Sequence, residues 1–241
     1  MATQAELTRW CCELRIDMLL KDSLPGVLAI LDREVGRLGF EYYACAVRHL
    51  TPFTRPRTEI IGSYPEQWLE RYTQQNYAAI DPSLLNGLRS SDMVVWGDGV
   101  FDDCRQLWGE ARECGLRVGA TMPMRTACNA LCVLSVARGA ESLSAQESGH
   151  VRLALRYLLE LGVQRLTELG YDMLDQAAIT LSHREREILQ WTADGKSSGE
   201  IALILEISIN TVNFHLKAIQ KKFKASNKTL AAAHAAALGL I

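Results

Sequence analysis

Hydrophobic and polar positions change period several times along the chain, and the changes mark out its elements. Residues 5–20 and 24–38 repeat apolar positions at helical spacing, the second run stopping at Gly39. "FEYYACAV" (40–47) is a nearly continuous apolar run and predicts a strand; residues 57–62 predict a weaker one. Helices are expected at about 65–77 and 82–90, a short strand in "MVVW" (93–96), and a helix over 102–113 closed by Gly115. "LRVGATMPM" and "LCVLSVA" predict an antiparallel pair joined by "RTACNA". Residues 144–169 form a long amphipathic helix opened by Ser144 with Glu147 three positions on, where each side chain accepts the other's backbone N–H. Strands flanked by helices in this order predict an α/β/α sandwich around an antiparallel sheet.

Residues 170–180 lose any period and read as a linker. Beyond it every element is helical. "LSHREREILQWTADG" opens on Ser182 with Glu185 and stops at Gly195; "SSGEIALILEI" repeats the device with Ser197 and Glu200. After a three-residue turn, Ser208 starts "SINTVNFHLKAIQKKF", and "SNKTLAAAHAAALG" ends at Gly239. Two short helices joined by a tight turn make a helix-turn-helix, the second helix being the candidate reader of a major groove. The class is therefore α+β, with a sandwich domain (1–169), a linker (170–180) and an all-α four-helix domain (181–241).

Composition is that of a globular protein, 48% hydrophobic and 22% charged, with no apolar run long enough to span a bilayer. "MATQAELTRW" lacks the features of a signal peptide, so a cytoplasmic location is expected. The seven cysteines include no C-x-x-C pair and the five histidines are scattered, which points to free thiols and no metal site. The net charge of −2 hides an asymmetry. Residues 1–175 hold 18 Lys/Arg against 23 Asp/Glu, whereas 176–241 hold eight against five. Five of those eight cations lie within 217–228.

In the third helix of the last domain, Val212, Leu216, Ile219 and Phe223 share a face and should bury. Asn210, Thr211, Asn213, Lys217 and Lys221 stay outside, where amides and lysines suit base edges and phosphates. Lys196, Lys222, Lys224 and Lys228 would add backbone contacts. A helical bundle that docks a protein explains the same pattern. The motif goes further: Glu185, Gly195, Ile201, Ala202, Leu205, Ser208, Thr211, Val212, His215, Ile219 and Phe223 stand where the DNA-binding domain of LuxR-type transcription regulators has its pattern. About 60 residues carry this resemblance, which adds His215 to the candidate DNA contacts and implies double-stranded DNA as a partner.

Tyr64, Trp68 and Tyr72 recur every four residues ahead of Asp81. Their spacing reads as a core stripe, and Asp81–Pro82 as a helix cap with Pro at the first helical position. The polar atoms add a second reading. A buried Tyr O–H or Trp N–H needs an acceptor and a buried carboxylate needs a donor. Grouped on one element, they complement a ligand with spaced carbonyls and one N–H. Trp96 could stack on a flat ring, and Ser135 would supply a hydroxyl from the sheet. Trp68, Tyr72, Asp81, Pro82, Trp96 and Gly119 resemble, in order and spacing, the near-invariant set of the autoinducer domain of quorum-sensing LuxR-type regulators.

That resemblance implies an N-acyl-homoserine lactone as ligand, with no cofactor and no catalytic residue. Trp68 would donate to the lactone carbonyl, Asp81 accept from the amide N–H, and Tyr64 and Ser135 donate to the acyl carbonyl. Tyr72 and Trp96 would line the pocket, and Gly119 permit close packing. The tail end is assigned to Val47, Thr58, Ile60, Leu84, Leu88, Phe101, Leu107 and Trp108, with a short acyl chain, butanoyl to hexanoyl. The implied assembly is a homodimer formed through residues 144–169 and the last helix, acting on an inverted repeat beside RNA polymerase. A regulator sensing a different small ligand is the alternative. An acyl hydrolase is disfavoured: Ser135 sits inside a strand, with no nucleophile elbow and no accompanying His or acid.

Overall fold

A computed structural model describes residues 4–139, 142–171, 174 and 179–241; part of the expected linker lies outside them. The chain divides into two units, Met1–Arg48 with Thr58–Arg125 and Leu131–Asp175, and His49–Arg57 with Thr126–Ala130 and Gln176–Ile241.

The first unit is built on five antiparallel strands: β1 (Tyr42–Arg48), β2 (Thr58–Gly62), β3 (Val94–Val95), β4 (Val118–Arg125) and β5 (Leu131–Arg138), in the order β2-β1-β5-β4-β3. Its helices are α1 (Gln4–Leu19), α2 (Leu24–Arg37), α3 (Glu66–Gln74), α4 (Pro82–Leu85), α5 (Arg105–Glu113) and α6 (Ala145–Glu168). Alternation along β1 separates two buried layers. Cys45 and Val47 meet Leu31 of α2 and Leu158 and Leu159 of α6. Ala44 and Ala46 face the other way, toward α3, α4 and α5. Helices cover both faces, as the sandwich requires. Ser144 and Glu147 close the expected reciprocal cap of α6, and Glu147 also accepts from Arg138 of β5 at 2.7 Å.

Helix lengths on the α3–α5 side differ from the sequence reading. The helix expected over 65–77 stops at Gln74 because Asn76 turns left-handed, with φ 52°. The helix expected over 82–90 is only Pro82–Leu85, followed by a 3-10 turn at Asn86–Leu88. Gly87 there lies so close to the sheet that a Cβ would stand 2.7 Å from Leu131 Cδ1. The 102–113 helix begins as a 3-10 turn and becomes α-helical from Arg105.

The second unit contains α7 (His183–Ala193), α8 (Ser198–Ile204), α9 (Ile209–Phe223) and α10 (Lys228–Ala237). Ser182–Glu185 and Ser197–Glu200 form the expected capping boxes, Ser208 caps α9 through Thr211 N–H, and Asn227 caps α10. Ile188, Ile201, Val212 and Ile219 are fully buried and meet at its centre. No described helix is long and apolar enough to cross a membrane.

Candidate functional site

The space between the sheet and α3–α5 contains a cavity of about 50 Å³. Each wall follows from a local rule. Strand alternation aims Ala44, Ala46 and Ile60 into it, with Val133 and Ser135 from β5. The helical repeat of α3 aims Trp68 and Tyr72 the same way, with Tyr64 just before the helix. Asp81 arrives as the cap of α4, with Ser83 and Leu84 behind it; Trp96 follows β3, and Phe101, Leu107 and Trp108 close the side nearest α5. Phe101 and Trp108 stack with ring centroids 4.6 Å apart, and Trp96 meets both edge-on.

The polar groups are unevenly satisfied. Asp81 Oδ1 accepts from Ser83 N at 2.9 Å and Ser83 Oγ at 2.7 Å; Oδ2 accepts from the Tyr72 hydroxyl at 2.8 Å. A carboxylate offers about four acceptor sites, of which these bonds use three, and the Leu84 backbone N–H also pulls on the group. The Tyr64 hydroxyl is buried and has no hydrogen-bond partner. Ser135 adjoins it, outside hydrogen-bond geometry, and pairs with Thr121 Oγ1 at 2.9 Å. Among the described residues nothing accepts from the Trp68 indole N–H. Burial pushes the Asp81 carboxyl up, against the pull of its bonds from Ser83 and Tyr72. Burial, then the charge of Asp81, raises the phenols of Tyr64 and Tyr72, which stay protonated donors. The cavity thus presents an unpaired buried hydroxyl, Tyr64, beside a buried carboxylate, Asp81, in a largely apolar shell that also contains Trp68.

Of the expected tail lining, Ile60, Leu84, Phe101, Leu107 and Trp108 reach the cavity; Val47, Thr58 and Leu88 do not. Val47 has the wrong strand parity and packs toward α6. Thr58 lies farther along the face, where it accepts from Arg48. Leu88 packs behind Leu84 against Leu131 and Val133. Sequence reasoning also missed Thr121, which is fully buried and accepts from Trp96 Nε1 at 2.9 Å. A lone hydroxyl inside the apolar run "LRVGATMPM", facing the same way as Ser135, was its only signal. Gly119 lies where a Cβ would stand 2.5 Å from the Trp96 ring, consistent with a packing role. Two further side chains reach α5: Arg71 of α3 forks onto both oxygens of Glu110 at 2.8 Å, and Tyr77, in the turn after α3, donates to the same carboxylate.

In the second unit, α9 buries Val212, Leu216, Ile219 and Phe223 and leaves Asn210, Thr211, Asn213, Lys217 and Lys221 exposed. Thr211 Oγ1 is tied to the Ser208 hydroxyl at 2.8 Å, and His215 is half-buried beside the Phe214 ring. Lys228 Nζ donates to the Lys196 carbonyl, bringing those two lysines together. Lys222 departs from the reading of it as a phosphate contact. Its ammonium donates to Glu185 Oε2 at 2.7 Å and to the Thr180 carbonyl, holding α9 to the start of α7.

Comparison with known proteins agrees with both halves of this geometry. Residues 23–166 match the family model of the autoinducer binding domain, and residues 179–235 that of bacterial regulatory proteins, luxR family. The HTH-type quorum-sensing regulator RhlR of Pseudomonas aeruginosa is 62% identical over 232 residues, 96% of each chain. The crystal structure of Escherichia coli SdiA superposes with a TM-score of 0.87 at 37% identity, over 98% of this chain and 99% of that one. A structure of SdiA in complex with octanoyl-rac-glycerol gives 0.86 at 36%, over 100% and 98%. Such proteins regulate transcription and are not enzymes. The chain belongs to the LuxR family of quorum-sensing transcription regulators, with an autoinducer-binding domain followed by a helix-turn-helix DNA-binding domain.

Proposed function

We propose that the acyl-homoserine lactone this regulator binds is a short-chain one, butanoyl to hexanoyl, seated in the cavity beneath the sheet. One observation carries the placement: the Tyr64 hydroxyl is buried without a partner, in a wall shared with Trp68 and Asp81. Trp68 N–H donates to the lactone carbonyl, Asp81 accepts from the amide N–H, and Tyr64 and Ser135 donate to the acyl carbonyl. Tyr72 orients Asp81, and Trp96 lies along the lactone ring. The small cavity and its aromatic walls favour a short chain. Each added methylene brings only about 0.8 kcal/mol of burial, less than moving a packed ring costs.

The cavity, about 50 Å³, is smaller than the lactone, so side chains open as ligand enters. Ligand held only by the folded state stabilises it by about 2.7 kcal/mol at a hundredfold excess over Kd. The domain boundaries are 1–169 and 181–241, with dimerisation through α6 and in part α10. In the cytoplasm the dimer then sets two α9 helices on an inverted-repeat site and activates transcription with RNA polymerase. Lys196, Asn210, Thr211, Asn213, His215, Lys217, Lys221 and Lys228 form the DNA-contacting set.

Mass spectrometry of ligand co-purified from cells offered lactones of four to twelve carbons is the test, followed by titration of butanoyl, hexanoyl and dodecanoyl lactones. Octanoyl-glycerol belongs in the same series, because SdiA is solved with it. Tightest binding of the dodecanoyl lactone removes the short-chain assignment. Tightest binding of the glyceride replaces the lactone by a different small ligand.

A further inference from the structure

Phe214 stands out in the second unit. It is 70% exposed, yet it lies on a helix whose other large apolar side chains, apart from Ile209 at its first position, are buried. Helical spacing places it four residues after Asn210, three before Lys217 and seven before Lys221, all exposed. Val212, Leu216, Ile219 and Phe223 define the inward side, so Phe214 points away from the core, at the middle of the polar face. Among the rings of the described residues it meets that of His215, edge-on, with centroids 5.7 Å apart.

An apolar ring between an amide and two ammonium groups has a ready complement in a major groove. Phosphates take the lysines and base edges take the amide. The only apolar group that a base pair shows there is the thymine 5-methyl. We propose that Phe214 is a specificity residue that reads a thymine methyl in each half-site. The inference rests on α9 being the reader helix and adds to the polar set a residue type that hydrogen-bonding logic alone passes over.

The test uses the full-length, ligand-bound protein and a duplex that it selects from random sequence. Each dT of that duplex is replaced in turn by dU, which removes only the methyl. At one position per half-site, binding by the wild-type chain is expected to fall about fourfold per methyl, the equivalent of one buried carbon. Phe214→Ala should bind the original duplex with a similar loss and be indifferent to dU there, with an unchanged melting temperature because the ring is exposed. Wild-type binding that no dU weakens overturns the proposal, as does a Phe214→Ala protein that keeps the same dU sensitivity. Lys217→Ala separates the premise. If it weakens binding while no dU does, only the role of Phe214 falls; if it too changes nothing, α9 is not the reader.

Discussion

Tyr72 donates to Asp81 Oδ2 at 2.8 Å, while Ser83 donates to Oδ1 through its backbone N–H at 2.9 Å and its hydroxyl at 2.7 Å. Asp81 thus serves two structures, the cap of α4 and the cavity, and substitutions can separate them. Asp81→Ala removes both, with an expected loss of about 1 kcal/mol in ligand-free stability for the cap and about 1–3 kcal/mol in lactone affinity for the amide left unpaired. Asp81→Asn keeps an oxygen for Ser83 N–H but turns an NH2 group toward the ligand amide. It should melt near the wild-type temperature without ligand and still bind lactone poorly. Equal losses for both variants in both assays would show the cap to be the whole role of Asp81.

The same group gives a pH signature. Burial raises the Asp81 carboxyl in the folded chain. The folded state therefore takes up this proton at a higher pH than the unfolded state does. Asp81 alone adds stability as pH falls through its folded value and removes it as pH rises. Lactone binding moves the opposite way, because protonation removes the charge that strengthens the bond to the amide N–H and turns one oxygen into a donor. Isothermal titration across the acidic range should show wild-type affinity falling at a pH above that of an ordinary aspartate, and a flat profile for Asp81→Asn. A wild-type profile as flat as the variant's removes the amide contact from Asp81.

Tyr64→Phe should produce effects of opposite sign. Its hydroxyl is buried without a partner, a state that costs about 1–3 kcal/mol. Removing it leaves ligand-free stability unchanged or higher. The lactone then loses one donor, expected at about tenfold in affinity. Thermal melts with and without lactone check both signs. A destabilised ligand-free variant would mean that the hydroxyl already has a partner.

Much of this architecture was legible in the chain because short-range rules wrote it. Three Ser–Glu caps, Gly195 and the 3.6-residue stripe of α9 each act within about four residues, and the helices of the second unit follow them. Trp68, Tyr72 and Asp81 could be grouped because α3 and the cap of α4 lie close in sequence. Strand parity was not legible. "FEYYACAV" is apolar on both faces, so nothing local says that Ala44 and Ala46 face the cavity while Val47 faces α6. The helix over 82–90 failed for a similar reason. Leu131, which crowds Gly87, lies more than forty residues away in sequence. Lys222 read as a surface cation because its partner, Glu185, is on another helix.

The clamp between α3 and α5 predicts acid sensitivity. The forked Arg71 guanidinium, with help from Gln106 and Tyr77, holds the Glu110 carboxyl down at about 2. A depressed acid stabilises the fold above its unfolded value, near 4.5, and the contribution disappears as pH falls toward 2. Arg71 is 42% exposed, so solvent screening keeps the contribution of the pair small. Urea titrations should show Glu110→Gln less stable than wild type at pH 7 and nearly equal to it close to pH 2. A difference that persists there would assign the loss to packing rather than charge.

Lys217 and Lys222 are five residues apart on α9 and should fail in different ways. Lys217 is exposed, with no ion pair among the described residues, and is placed to meet phosphate. Replacing it with Ala should weaken DNA binding across all sequences and reduce the magnitude of the salt slope by about 0.9 for each lysine lost, while stability stays within about 0.5 kcal/mol. Lys222 is bound to Glu185, whose side chain is 7% exposed, and to the Thr180 carbonyl. Burial raises that carboxyl, but the bonds from Lys222 and Ser182 outweigh it and leave it low. The pair therefore stabilises the domain above the ordinary glutamate range and is lost as pH falls through the depressed value. Lys222→Met should lower the free energy of unfolding at pH 7 by about 1 kcal/mol, allowing for the 38% exposure of the lysine. Its salt slope should match wild type once the fraction folded is taken into account. If Lys222→Met flattens the slope as much as Lys217→Ala does, the ammonium leaves Glu185 for the DNA, and the ion pair seen in the free chain belongs only to the unbound state.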